Sequence, residues 1–85
     1  MSPTITVNIL FFARSREIAG CQSAAIELPA RSDVSALRVA LIARFPELEG
    51  LLARCRIAID ESFAEETDRI RDGALAAVIP PVSGG

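Results

Sequence analysis

Ala74-Leu75-Ala76-Ala77-Val78-Ile79-Pro80-Pro81-Val82-Ser83-Gly84-Gly85 decides how the rest of the chain is read. From Ala74 to Ile79 the run is apolar at both alternating sets of positions, which is the pattern of a strand in the middle of a sheet. Pro80 ends it, because proline has no N–H to give to a ladder and its ring fixes φ. Pro81 then holds Pro80 extended, so the chain leaves the sheet as a short stiff arm. Gly84 and Gly85 lack a Cβ and can enter a channel too narrow for any other residue. The α-carboxylate of Gly85 is unhindered and reachable. These features divide the sequence into a domain over residues 1–79 and a projecting, flexible tail over residues 80–85. A Gly-Gly end can equally be an inert frayed terminus, and the tail alone does not choose between the two.

Upstream, the residues form a stage for that arm. Thr4 to Phe12 alternates, with Ile5, Val7, Ile9 and Phe11 on one side and Thr6, Asn8, Leu10 and Phe12 on the other, which predicts a strand. Ala13 to Ala19 reads as a short helical segment closed by Gly20. Ser23 to Leu28 alternates again and stops at Pro29, predicting a strand antiparallel to the first. Ser32 is expected to cap a helix starting near Asp33, with Val34, Leu37, Leu41 and Phe45 as its core stripe, widened by Ile42. Pro46 ends that helix, and a further helical turn is expected before Arg54. Arg56 to Asp60 predicts a third strand, Asp60-Glu61-Ser62 a turn, and Phe63-Ala64 a brief edge strand. Ile70 should plug the core from an otherwise charged loop, and Gly73 permits the tight turn into the last strand.

Placed side by side, the first and last strands must run parallel, because the tail leaves where the first strand finishes. The order strand, strand, helix, strand, short strand, strand is that of an α+β, ubiquitin-like β-grasp: a mixed sheet with one main helix on one face. Parity puts Leu10, Phe12, Leu75, Ala77 and Ile79 on the other face, with Phe63 expected to join them. An apolar patch beside a projecting tail predicts a docking surface, unless the loop from Glu65 to Asp72 folds over it.

Composition excludes several classes of function. The chain has 85 residues and a formal net charge of -2, and its nine basic residues are all arginine and scattered, so nucleic acid is not an expected partner. With no histidine and only Cys21 and Cys55, no zinc site can be assembled from the usual ligands. Metal sites are therefore expected to be none. Cys55 should be a small buried hydrophobe and Cys21 a loop residue, both free in a reducing compartment. No signal peptide or membrane-length apolar run is visible, which points to a cytoplasmic protein without a membrane partner. No lysine is present, so the chain could be joined to another protein's lysine but could not receive such a bond on one of its own.

The Leu10-Phe11-Phe12-Ala13 segment with Arg16-Glu17 and Gly20, the Arg44-Phe45-Pro46 helix end, Ile57-Ala58-Ile59, Asp72-Gly73 and the Pro80-Pro81-Val82-Ser83-Gly84-Gly85 ending resemble the ubiquitin-like sulfur carriers, and among them the small subunit of molybdopterin synthase. The resemblance spans essentially the whole chain. It departs from the family pattern at Asp60, where asparagine is frequent, and at Ala74, where an acidic residue is. The resemblance implies that Gly85, preceded by Gly84, is the reactive terminus: an adenylyltransferase of the ubiquitin-activating type adenylates it with ATP, and a sulfur donor protein converts it to a thiocarboxylate. That sulfur is then delivered to cyclic pyranopterin monophosphate in molybdenum cofactor biosynthesis. The chain would bind no cofactor and would not be an enzyme on its own. Phe12, Phe63, Ile79, Pro80, Pro81, Val82 and Ser83 would meet the partners, in a heterotetramer of two small and two large subunits.

Three other readings compete. A carrier for thiazole, cysteine or tRNA thiolation would share the tail chemistry. A ubiquitin-like protein modifier would end in isopeptide conjugates. An interaction module with an inert tail would use only the patch.

Overall fold

The computed structural model describes residues 3–81. In chain order the elements are β1 (Thr4–Phe11), α1 (Ala13–Ala19), β2 (Ser23–Pro29), α2 (Val34–Arg44), a 3₁₀ turn (Pro46–Leu48), α3 (Glu49–Leu52), β3 (Arg56–Ile59), β4 (Ser62–Phe63) and β5 (Leu75–Ile79). The sheet order is β2-β1-β5-β3-β4, so the strand leading to the tail is central. It runs parallel to β1 and antiparallel to β3, while β1 pairs antiparallel with β2. This is the expected β-grasp.

One face of the sheet is dry. Ile5, Val7, Ile9 and Phe11 of β1, Ile26 and Leu28 of β2, Ile57 of β3 and Ala76 and Val78 of β5 are buried, together with Val34, Leu37 and Leu41 of α2. The helix lies on this face because those three residues recur at helical spacing on one stripe. Leu48, Leu52 and Ile70 close the edges of the core. Phe11 meets Phe45 edge to face, with ring centroids 5.3 Å apart, an arrangement that the ring quadrupoles favour.

Several local expectations shift. The cap of α2 is Asp33, not Ser32: Asp33 accepts a hydrogen bond from the Ala36 amide at 3.0 Å, whereas the Ser32 hydroxyl donates to the Pro29 carbonyl at 2.6 Å. The remaining free amides at that end are taken by the 65–72 loop, since Val34 N–H donates to Asp68 O and Ser35 N–H to Glu66 O. A helix start needs such partners, and the loop supplies them. The third strand stops at Ile59 and the edge strand is Ser62–Phe63, one residue earlier than expected. Asp60 and Glu61 both have positive φ, 49° and 73°, and form a two-residue hairpin turn that pairs Ile59 with Ser62.

Arg38 has a structural role that helical periodicity does not show. It lies beside the stripe of α2, half-buried, and its guanidinium donates to Leu52 O at 2.6 Å, to Cys55 O at 2.9 Å and to the Glu66 carboxylate. One side chain thus ties the main helix to α3, to the start of β3 and to the loop. The contact depends on chain segments that are distant in sequence, which is why helical periodicity left it out.

Candidate functional site

The open face of the sheet is built from strand parity. Leu10, Leu75, Ala77 and Ile79 alternate with core residues of β1 and β5, and Phe12 follows directly on β1. Phe12 is 48% exposed, Phe63 56% and Leu75 40%, unusual values for large apolar side chains. The 65–72 loop does not cover them. Its carbonyls reach the start of α2 and Ile70 is buried in the core, so it lies on the helical side.

Phe12 is held by its backbone. Its N–H donates to Ser15 Oγ at 3.1 Å, and Ser15 Oγ donates back to Phe12 O at 2.6 Å. Ser15 is fully buried, which makes this staple part of the β1–α1 corner. Ala13 takes a φ of 51°, a conformation costly for a residue with a Cβ. The corner thereby carries the chain from strand to helix while Phe12 remains on the open face.

At the other side, the β3–β4 hairpin brings Phe63 opposite Ala58, and β5 brings Ala77 opposite Ala58. Phe12, Ala58, Glu61, Phe63, Ala77 and Ile79 together line a shallow, largely apolar cavity of about 260 Å³. Of the residues expected from sequence, Phe12 just after β1, Phe63 of β4 and Ile79 of β5 are brought together here. Half-buried Pro80 and exposed Pro81 continue from the cavity's edge. Val82, Ser83, Gly84 and Gly85 lie outside the described residues. Ala58 and Glu61 were not expected in this site. The pairing of Phe63 with Ala58 could have indicated Ala58, but only once the hairpin turn was placed.

The turn that positions Phe63 is fixed by Asp60. Its carboxylate accepts from Leu75 N–H at 3.0 Å and from Arg71 Nε at 3.0 Å, while its own N–H donates to Leu75 O at 2.8 Å. The amide bond and, less strongly, the arginine hold its pKa below the ordinary aspartate value. Asp60 is therefore a charged clip that locks the hairpin onto β5. The Asp72-Gly73 pair does the same for β1: Asp72 accepts from Thr6 N–H at 2.8 Å, and Gly73, at φ 81°, donates to Thr6 O at 2.8 Å.

A second, wider depression of about 680 Å³ lies at the α1–β2 corner, lined by Ala13, Arg16, Glu17, Gly20, Cys21 and Gln22. Cys21 is half-buried there and Cys55 is buried, both as free thiols. Burial pushes the Cys55 thiol pKa up, partly offset by Arg38 and Arg54. Among the described residues no cluster of three or more His, Cys, Asp or Glu side chains could hold a metal, and no helix is long and apolar enough to cross a membrane.

A central strand that runs parallel to the first, ends beside an uncovered apolar cavity and leads to a Pro-Pro arm defines a β-grasp protein of the ubiquitin-like class. Residues 9–85 match the ThiS family. The molybdopterin synthase sulfur carrier subunit of Drosophila ananassae is 38% identical over 86 residues, covering 98% of this chain and 94% of that protein. Among solved structures, the putative molybdopterin converting factor subunit 1 of Pyrococcus furiosus superposes with a TM-score of 0.85 at 27% identity, over 92% of this chain and 99% of that one. A chain in the complex of subunits 1 and 2 of the molybdopterin-converting factor from Helicobacter pylori shares the fold, with a TM-score of 0.68 at 23% identity over 95% of this chain and 100% of that one. The chain belongs to the ThiS family, within the group of ubiquitin-like sulfur carriers that includes the molybdopterin synthase small subunits.

Proposed function

We propose that this chain is the sulfur carrier subunit of a cytoplasmic molybdopterin synthase. The observation that carries the proposal is the uncovered cavity of Phe12, Phe63 and Ile79 at the root of the arm that leads to Gly84-Gly85. The Drosophila ananassae relative bears the name of such a subunit, and the Helicobacter pylori protein of the same fold occurs in a complex of subunits 1 and 2.

A carboxylate is a poor electrophile, so the reaction begins outside this chain. A Gly85 carboxylate oxygen attacks the α-phosphorus of ATP on an adenylyltransferase, and pyrophosphate leaves. A persulfide sulfur on a donor protein then attacks the acyl carbon and AMP departs. A thiol cleaves the resulting S–S bond, leaving Gly85 as a thiocarboxylate. The cavity docks on the large subunit, Pro80 and Pro81 direct Val82 and Ser83 inward, and Gly84 and Gly85 fit the narrow channel. The thiocarboxylate sulfur is the nucleophile delivered to cyclic pyranopterin monophosphate. Two sulfur atoms per product suit a heterotetramer of two small and two large subunits. In this division of labour the chain is a bound reactant, and the acid–base groups and substrate pocket belong to the partner. ATP is consumed by the activating enzyme and no cofactor resides on the chain.

The test is the intact mass of the protein purified from cells that retain the pathway, before and after thiol alkylation, with fragmentation to locate the change. Replacement of one oxygen by sulfur at Gly85 is expected, and the thiocarboxylate form should yield molybdopterin when mixed with the large subunit. An unmodified Gly85 after incubation with ATP, activating enzyme and sulfur donor would refute the carrier role. A thiocarboxylate that yields no molybdopterin would move the chain to another sulfur pathway.

A further inference from the structure

Beside the cavity stands a charge that the docking surface described above leaves unused. Arg56 is the first residue of β3 and pairs across the ladder with Ile79, the last residue of β5. Partners across a ladder share a face, so its side chain stands on the open face, beside the point where Pro80 leaves the sheet. Its guanidinium carbon lies 3.9 Å from the centre of the Phe63 ring, a cation–π stack. Among the described residues the ion pairs are Arg38–Glu66 and Arg71–Asp60. Arg56 takes part in neither, and Glu61, which lines the same cavity, is not paired with it.

The stack has a consequence for any partner. Phe63 cannot be covered without also stripping water from the guanidinium resting on it, and an unpaired cation in a dry interface is strongly unfavourable. A partner that docks here must therefore bring an acceptor, and the planar fork of an arginine is matched best by a carboxylate. We propose that Arg56 is a specificity-determining residue of the docking surface and receives a carboxylate of the large subunit beside the root of the tail. The proposal rests on the docking role given to the cavity under Proposed function. Pinning the partner at the residue paired with Ile79 fixes where β5 ends relative to the partner, and hence the direction in which Pro80 and Pro81 carry the tail.

The test is calorimetric titration of the full-length protein with the purified large subunit of the same organism, at about 50 mM and about 300 mM salt, a range over which exposed charges become screened. Arg56→Met, Arg56→Lys and Phe12→Glu are compared with wild type, and the thermal melt of each establishes that it is folded. Arg56→Met is expected to weaken binding by about 30-fold or more at low salt and to show a flatter salt dependence than wild type. Arg56→Lys should recover only part of the affinity, since an ammonium cannot reproduce the bidentate geometry. If Arg56→Met binds as wild type does, with the same salt dependence, while Phe12→Glu binds weakly, the docking surface stands and the role of Arg56 is overturned. If Phe12→Glu also binds as wild type does, the docking surface itself is overturned, and the proposal with it.

Discussion

Truncating Phe12 to alanine tests the open face most directly. The ring is 48% exposed, and since a phenylalanine side chain offers roughly 200 Å² for burial, about 100 Å² of it remains for a partner to cover. At about 25 cal/mol per Å² this is worth about 2.5 kcal/mol, and the β-carbon that alanine retains lowers the expected loss to about 2 kcal/mol. Affinity for the large subunit should therefore fall about 30-fold. The corner itself should survive, because the bonds between Phe12 and Ser15 use only backbone atoms of Phe12. Val39→Ala is the matched control. Val39 is 69% exposed and belongs to α2, which packs on the other face of the sheet, so its truncation should leave affinity unchanged. Calorimetric titration of both variants, with circular dichroism melts alongside, decides the matter. Wild-type affinity in Phe12→Ala, or an equal loss in Val39→Ala, would refute a contact centred on this patch.

Arg38→Met should destabilise the fold by about 2 kcal/mol, since it removes the hydrogen bonds to the Leu52 and Cys55 carbonyls and to the Glu66 carboxylate; urea unfolding measures it. Asp60 has a depressed folded pKa, so its stabilisation is complete above the ordinary aspartate value and is lost as pH falls through the lower folded value. The urea midpoint of wild type should therefore exceed that of Asp60→Asn at neutral pH, with the gap closing in acid. A gap that persists unchanged in acid would show that the charge contributes nothing. Burial and a raised pKa protect Cys55, so timed alkylation followed by peptide mapping should label Cys21 first. Gly84→Val adds a β-branched side chain to the tail; it should leave docking intact and block sulfur transfer in a single-turnover assay.

Residue patterning along the chain is enough to place the elements and the two faces of the sheet. Ile5-Val7-Ile9-Phe11 and Val34-Leu37-Leu41 declare core positions through a period that any chain burying one face must show. The same alternation puts Phe12 and Ile79 outside, and two prolines after Ile79 mark where the arm begins. Local chemistry was legible too: Gly20 and Gly73, with φ of 76° and 81°, occupy the turns expected of them. Other features depend on segments that meet across long stretches of chain. The cap of α2 moved to Asp33 because the 65–72 loop arrives from more than thirty residues away to bond Val34 and Ser35. Arg38 became a structural clamp because Leu52, Cys55 and Glu66 converge on it. The cavity needed the left-handed hairpin at Asp60-Glu61, whose clip to Leu75 and Arg71 brings Phe63 over Ala58 and under Arg56. Periodicity reports which side of its own element a residue faces. Which residues share that side with it is set by register and turn geometry, and these exist only once the strands have paired.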